Sequence, residues 1–395
     1  MQGHIRKRIH ITKTGKETVN WYVVVDLGRD AGGKRRQKWH GGFRTRKQAE
    51  VARTKIVGDL HDGTYTEPTK VTLREWVEEK WLPTVQTQVK PSTFESYRRN
   101  MSHHVLPSLG GRSIRDIGPS QLNAMYAELL SSGRRNGPGG LSAKTVRYIH
   151  TIVHKALADA LDAGLIAANA AERSKPPRPR AGGATELRFW TPDELRSFLE
   201  FVENHRLEAA WHVSAMTGMR RGEVLGLRWA DVDLATARIH VRRAIVSVAY
   251  ELVISTPKSN RARVIDLDPC TLDQIRRHGQ RQLNEQAEWD ADYVDDDLVF
   301  CKENGEPLHP QTYTQAFERL VAKTDLPRIR LHDLRHTHTT IALQAGIPTK
   351  VISERLGHES PAFTLKQYAH VIPGMQADAA AQVADIVFQN PVRDP

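Results

Sequence analysis

The sequence predicts a multidomain protein, mainly α with small β parts, and three observations predict it. A strand-like alternation sits inside a strongly basic N-terminal segment. The next hundred residues carry almost unbroken helical periodicity. Beyond a boundary rich in Pro, Gly and Arg the pattern becomes mixed. The expected divisions are a three-stranded sheet plus helix over 1–65, a helical bundle over 70–172, a linker over 173–186, and a mixed α+β domain with a C-terminal helix over 187–395. A chain of 395 residues has room for two or three cores. No apolar run approaches the roughly 20 residues of a membrane helix, and the basic N-terminus lacks the apolar core of a signal peptide. Cys270 and Cys301 are far from any metal-binding spacing, so two free thiols in a reducing cytosol are expected.

Charge is concentrated at the start. Of a net +11, residues 1–60 hold fifteen Lys/Arg against five Asp/Glu. A partner that is a polyanion follows, and nucleic acid is the commonest. Within this segment Trp21, Val23, Val25 and Leu27 alternate as on a half-buried strand, and Asp30-Ala31-Gly32-Gly33 supplies turn chemistry. KRRQKWHGGF (34–43) then reads as a further strand, with Arg35, Arg36 and Lys38 as DNA-binding candidates. Thr45 and Gln48 match a capping box opening a helix lined by Ala49, Ala52, Ile56 and Leu60.

In the helical region Thr72 with Glu75, and Ser92 with Glu95, read as capping boxes, and Ser120 and Ser142 as further caps. Val146, Ile149, Val153, Leu157 and Leu161 form one apolar stripe that ends near Gly164. A bundle of four to five helices results, leaving Lys144 and Arg147 for a basic surface. SKPPRPRAGG (174–183) is an extended, cationic boundary suited to a path along DNA, with Lys175 and Arg178 as contacts. Thr191-Pro192-Asp193-Glu194 opens the next domain, with helices about 192–203 and 207–217 and strands within about 237–267.

This last domain carries the chemistry. In MTGMRRGEVLGLRWADVD (216–233) Arg220 falls at a helix–helix turn through Gly218, where it could help hold a phosphate, with Glu223 one turn on to orient it. STPKSNRARVIDL (255–267) reads as a hairpin with Lys258 near its tip. LHDLRHTHTT (331–340) admits two readings. His332 and His336 share a helix face, as zinc ligands do, but Arg335 beside them suits an anion better than a cation. His358 in ERLGHES and Tyr368 in TLKQYAHV complete the set. Two arginines, a lysine, two histidines and a tyrosine can together break a phosphodiester without metal. The arginines neutralise the phosphorane and the phenolate attacks.

With these motifs in this order the sequence resembles the tyrosine recombinase (phage integrase) family over residues 187–385. The 71–170 region is similar to that family's core-binding domain and the N-terminal segment to its arm-type DNA-binding domain. The resemblance implies that Arg220 and Arg335 clamp the scissile phosphate, with Glu223 as buttress. Lys258 protonates the 5′ oxygen, His332 helps activate the nucleophile, and His358 hydrogen-bonds the phosphate. Tyr368 attacks, leaving a 3′-phosphotyrosine, and neither metal nor other cofactor is needed. It further implies double-stranded DNA with core-type and arm-type sites, a homotetramer on that DNA, an excision or directionality factor, a DNA-bending protein, and the cytoplasm of a bacterial host. The zinc reading of LHDLRHTHTT then recedes, and His336 and His338 keep no chemical task beyond packing or a DNA-adjacent surface. A final helix over about 376–388 is expected to dock on a neighbouring protomer. The alternatives are a type IB topoisomerase, which the added basic module disfavours, and a catalytically idle DNA-binding regulator, for which a nucleophile would be superfluous.

Overall fold

The computed structural model describes residues 3–11, 17–29, 32–62, 70–178, 188–257, 262–358 and 360–368, with Ala384, Val387 and Phe388. Lys258, the Asp30-Ala31 half of the expected turn and nearly all of the expected 376–388 helix lie outside the described residues. The chain gathers into two compact units, 1–183 and 184–395. Among the described residues no helix is long and apolar enough to cross a membrane.

The first unit begins with an antiparallel sheet in the order β1 (Gly3–Ile11), β2 (Glu17–Arg29), β3 (Arg35–Phe43). Val23 and Val25, with Trp21 and Leu27, turn to the Arg46–His61 helix and pack on Ala49, Ala52, Ile56 and Leu60, as the alternation predicts. The other face pairs Val24 with Trp39, and the Arg8 guanidinium lies 4.5 Å from the Trp39 ring centroid. Thr45 and Gln48 form the predicted capping box.

A second apolar core in this unit belongs to the helices that follow. Leu73 to Gln86 runs as one helical rod with a π-helical stretch, Trp76–Trp81. Pro91–Asn100 continues through a second, Met101–Val105, to Leu109. Both wide stretches end one residue before Leu-Pro, at Pro83 and Pro107. A proline has no N–H to donate and its ring crowds the preceding turn, so the helix widens ahead of it rather than breaking. The Pro119–Ser132 and Ala143–Asp162 helices complete the bundle. Its interior takes Val146, Ile149, Val153 and Leu157 from the predicted stripe, with Leu161 partly buried beside them. The indole nitrogens are satisfied too: Trp76 Nε1 donates to the Ala156 carbonyl at 3.0 Å and Trp81 Nε1 to Asp159 Oδ2 at 2.7 Å.

Two expected caps are wrong. The box at Ser92 does not form, because Pro91 already occupies the first helical position and Glu95 turns instead to Arg98. Ser120 likewise lies inside its helix, whose first residue is Pro119. In each case the proline fixes a helical φ one residue ahead of the serine and sets the start. Ser142 and Thr72 cap as expected.

The second unit packs Trp190, Phe198, Trp211, Tyr313 and Phe317 in its centre. Around them lie the helices Pro192–Phe201, Glu208–Thr217, Pro269–Trp289, Pro310–Val321 and Asp333–Gln344. A small sheet has the order β4 (Val232–Asp233), β5 (Arg238–Val241), β8 (Arg263–Asp266), and among the described residues β6 (Ala244–Val248) pairs only with β7 (Glu251–Ser255). The 255–267 stretch is therefore not a hairpin. β7 pairs backwards with β6, while β8 crosses to β5 through Ile239↔Ile265, which buries Ile265 in the main core.

Candidate active site

The site begins where the Glu208–Thr217 helix stops. Gly218 takes the left-handed conformation, φ 64°, and a Cβ there would lie 2.5 Å from Leu356 Cδ2 and 2.9 Å from His338 Cδ2. Only glycine fits both demands. The turn delivers Arg220 to the head of the short Arg221–Leu225 helix, where its backbone N–H donates to Glu223 Oε2 at 2.9 Å.

Glu223 is the hub. Its carboxylate is 2% exposed and accepts from Arg220 Nη1 at 3.0 Å and from Arg263 Nη1 and Nη2 at 3.2 and 2.7 Å. Burial alone would raise its pKa, but the hydrogen bonds and charge of Arg263, then those of Arg220, hold it below the usual carboxylate range. Arg263 comes from β8 and was not singled out in the sequence. No local signal marks it: only the fold shows that Glu223 is buried deeply enough to need more than one half-exposed arginine to stay ionised.

Arg335 enters from the Asp333–Gln344 helix, 4% exposed. It donates to the Gly218 carbonyl at 2.6 Å and to the Leu356 carbonyl at 2.9 Å. Burial, with Arg220 next, pushes its pKa down to about 9, so it remains a cation at neutral pH. Leu356 ends the Thr349–Leu356 helix, and the following Gly357, φ 65°, offers its carbonyl to Arg220 Nη2 at 3.4 Å. Arg220, Arg263 and Arg335 thus converge around one carboxylate and one helix end. Three guanidiniums against one carboxylate leave an excess of positive charge, with the planar donors that suit a phosphate.

His358 follows Gly357 at once. Its Nδ1 shares a 2.7 Å hydrogen bond with Thr364 Oγ1, and burial, then Arg335, Arg220 and Arg263, pushes its pKa down to about 3. The ring is neutral at physiological pH and keeps its other nitrogen for a ligand.

Tyr368 closes the Pro361–Tyr368 helix and is 1% exposed, among Ala342, Leu343, Ile352 and Leu356. Its hydroxyl shares a 2.5 Å hydrogen bond with His336 Nδ1, and burial is the chief cause that raises its pKa. His336, read from the sequence as packing or a DNA-adjacent surface, is therefore the histidine on the tyrosine. His332 stands behind it, ring centroids 5.2 Å apart at 86°, at an exposed position. Crowding by protein, then His336 and Arg335, pushes the His332 pKa down to about 4. His338 packs against the Gly218 turn.

Of the predicted site residues, the described part of this unit brings together Arg220, Glu223, His332, Arg335, His358 and Tyr368. The basic candidates of the first unit lie on its surface. Lys144, Arg147, Lys175 and Arg178 are exposed, as are Arg35 and Arg36, with Lys38 half-buried. Arg35 is held by Asp26 at 2.6 Å.

Three family models match this chain. The Phage integrase family model covers residues 188–374, and an Arm DNA-binding domain and a Phage integrase, N-terminal SAM-like domain cover 9–58 and 72–130. The chain belongs to the phage integrase family. It is a tyrosine-type recombinase within that family. A relative described as tyrosine recombinase XerC-like, from Caldanaerobacter subterraneus subsp. tengcongensis, is 27% identical over 96% of this chain and 99% of its own. The ICEBs1 integrase of Bacillus subtilis is 25% identical, covering 78% of this chain and 81% of its own. In fold, the integrase of the Tn1549 transposon, solved with a circular intermediate DNA, superposes with a TM-score of 0.65 at 22% identity, covering 79% of this chain and 99% of that one. The Tn1549 integrase thus shares this chain's fold over that span.

Proposed function

We propose that this integrase-family chain cuts and rejoins double-stranded DNA at specific sites, so as to insert and release a mobile element such as a prophage or conjugative element. The observation that carries the proposal is the convergence of Arg220, Arg263 and Arg335 on Glu223 and the Leu356-Gly357 carbonyls, with Tyr368 held by His336 on the adjoining helix. Arg220 and Arg335 take the non-bridging oxygens of the scissile phosphate, Glu223 and Arg263 fix the direction of Arg220, and His358 donates a hydrogen bond to the same phosphate.

Tyr368 Oη forms a bond to phosphorus as the bond to the 5′ oxygen breaks. The phenolic proton leaves through His336, with His332 next in line, and Lys258 supplies the proton taken up by the 5′ oxygen. The phosphoester energy is kept in the 3′-phosphotyrosine, so a second strand's 5′ hydroxyl can reverse the step. The chemistry calls for no cofactor.

The three-part division at 1–65, 70–172 and 187–395, with its linker, accords with the two separate apolar cores of the first unit. On this reading Arg35, Arg36 and Lys38 serve arm-type sites, and Lys144, Arg147, Lys175 and Arg178 serve core-type sites. Four copies assemble on the DNA in a bacterial cytoplasm, aided by a directionality factor and a bending protein. Relaxation of supercoils by a type IB topoisomerase needs no module at 9–58, which favours recombination.

A nicked suicide substrate tests the reading. Tyr368→Phe should bind DNA as the parent does and form no covalent adduct, and the parent's adduct should form in excess EDTA. An adduct in Tyr368→Phe, or its loss with EDTA, defeats the proposal. Deleting residues 1–65 should weaken arm-site binding far more than core-site binding. Deleting 376–395 should abolish strand exchange while leaving cleavage measurable.

A further inference from the structure

We propose that the second unit carries a zinc site, made of residues other than those that hold the phosphate, built from His212, Asp268 and Cys270. A ring nitrogen of His212, a carboxylate oxygen of Asp268 and the Cys270 sulfur lie within 4.8 Å of one another. They come from two elements. His212 sits in the Glu208–Thr217 helix, Asp268 caps the Pro269–Trp289 helix, and Cys270 is that helix's second residue. The sequence hides the group because its members are separated by more than fifty residues on one side.

An independent observation points to a ligand. His212 is 7% exposed, and its Nε2 is buried without a hydrogen-bond partner among the described residues. Native proteins rarely leave a buried polar atom so. Of the four such side-chain atoms, it is the only one with a nitrogen lone pair to offer, the others being Trp211 Nε1, Arg281 Nε and Thr340 Oγ1. Asp268 accepts from the Thr271 N–H at 2.9 Å and Thr271 Oγ1 at 2.5 Å. Those bonds aim the carboxylate and leave it lone pairs to spare.

The donor set selects the ion. Sulfur with imidazole nitrogen excludes magnesium and calcium, which take oxygen ligands. A thiolate, an imidazole and a carboxylate suit zinc in tetrahedral coordination, with water in the fourth position. Binding expels the Cys270 thiol proton, and the resulting thiolate sits at a helix N-terminus, where negative charge is favoured. His212 and Cys270 also line a cavity of about 660 Å³, together with Met216 and His338.

Occupancy would tie the first turn of one helix to the helix that ends at Gly218, whose carbonyl holds Arg335. The site is a brace behind the arginine cluster. It takes no part in the reaction, so its failure and that of the recombinase reading are separable.

The test uses the full chain, stripped of metal, and cobalt(II) as probe. Cobalt should bind one equivalent per chain with a thiolate-to-cobalt charge-transfer band that zinc abolishes. Cys270→Ser, at an exposed position, should lose the band, and Cys301→Ser should keep it. Zinc should raise the thermal midpoint of the parent and leave that of Cys270→Ser unmoved, and His212→Gln should weaken binding at least about tenfold. No thiolate band at saturating cobalt, or a band that survives in Cys270→Ser, overturns the proposal.

Discussion

Replacing Glu223 by Gln changes little in shape and removes the one negative charge at the centre of three guanidiniums. The carboxylate accepts two hydrogen bonds from Arg263, at 2.7 and 3.2 Å, one from Arg220 Nη1 at 3.0 Å, and the Arg220 backbone N–H at 2.9 Å. An amide keeps one oxygen as acceptor and turns its nitrogen toward donors, so about two charge-assisted bonds are lost at roughly 1.5–3 kcal/mol each. Breaking one partner out of a buried ion pair costs about 3–5 kcal/mol by the same logic. Glu223→Gln should therefore destabilise the second unit by about 3–5 kcal/mol, a drop in thermal midpoint of about 6–20 °C for a unit of this size. The same loss has a pH signature. The folded pKa of Glu223 is depressed, so its contribution is present above the unfolded carboxylate value and fades as pH falls through the lower folded one. Thermal unfolding of the parent and Glu223→Gln at neutral pH reads the difference. A midpoint shift under about 2 °C would mean that Glu223 does not hold the arginines, and the hub described above would be wrong.

Three further outcomes follow from other parts of the second unit. Gly218→Ala combines a positive φ with contacts of 2.5 and 2.9 Å, and should cost about 2–4 kcal/mol in urea unfolding; an unchanged midpoint contradicts the turn geometry. His278 is 4% exposed, and burial pushes its pKa down to about 4. The unfolded chain takes up that proton first, so stability is complete above about pH 6.5 and declines toward pH 4, by at most about 1.4 kcal/mol per unit for this residue. A pH-independent midpoint across that window would refute it. Arg220→Ala should slow cleavage of a phosphodiester about 10²–10³-fold. On a neutral methylphosphonate the loss should shrink below about tenfold, because no charge is left to neutralise, and an equal loss on both substrates would deny Arg220 its clamp.

Much of this is legible in the sequence alone. The alternation of Trp21, Val23, Val25 and Leu27 and the 146–157 stripe translate directly into the two cores of the first unit, because a period of two or 3.6 residues is a statement about which side is dry. Caps were legible where no proline competed. Ser92 and Ser120 failed because Pro91 and Pro119 fix the helix start first. The 255–267 stretch misled because strand pairing is non-local: nothing within it says that β8 joins β5 rather than β7. Arg263 and His336 went unassigned for the same reason. The burial of Glu223 and the 2.5 Å contact to Tyr368 are created by elements about thirty to forty residues away in sequence.

The account stands or falls on which atom becomes bonded to DNA. The direct measurement is to trap the covalent complex on a nicked substrate in excess EDTA, digest it, and identify the modified peptide by mass spectrometry. The account predicts a 3′-phosphoryl nucleotide on Tyr368. A nucleotide on any other side chain, or attachment through a 5′ phosphate, would contradict it.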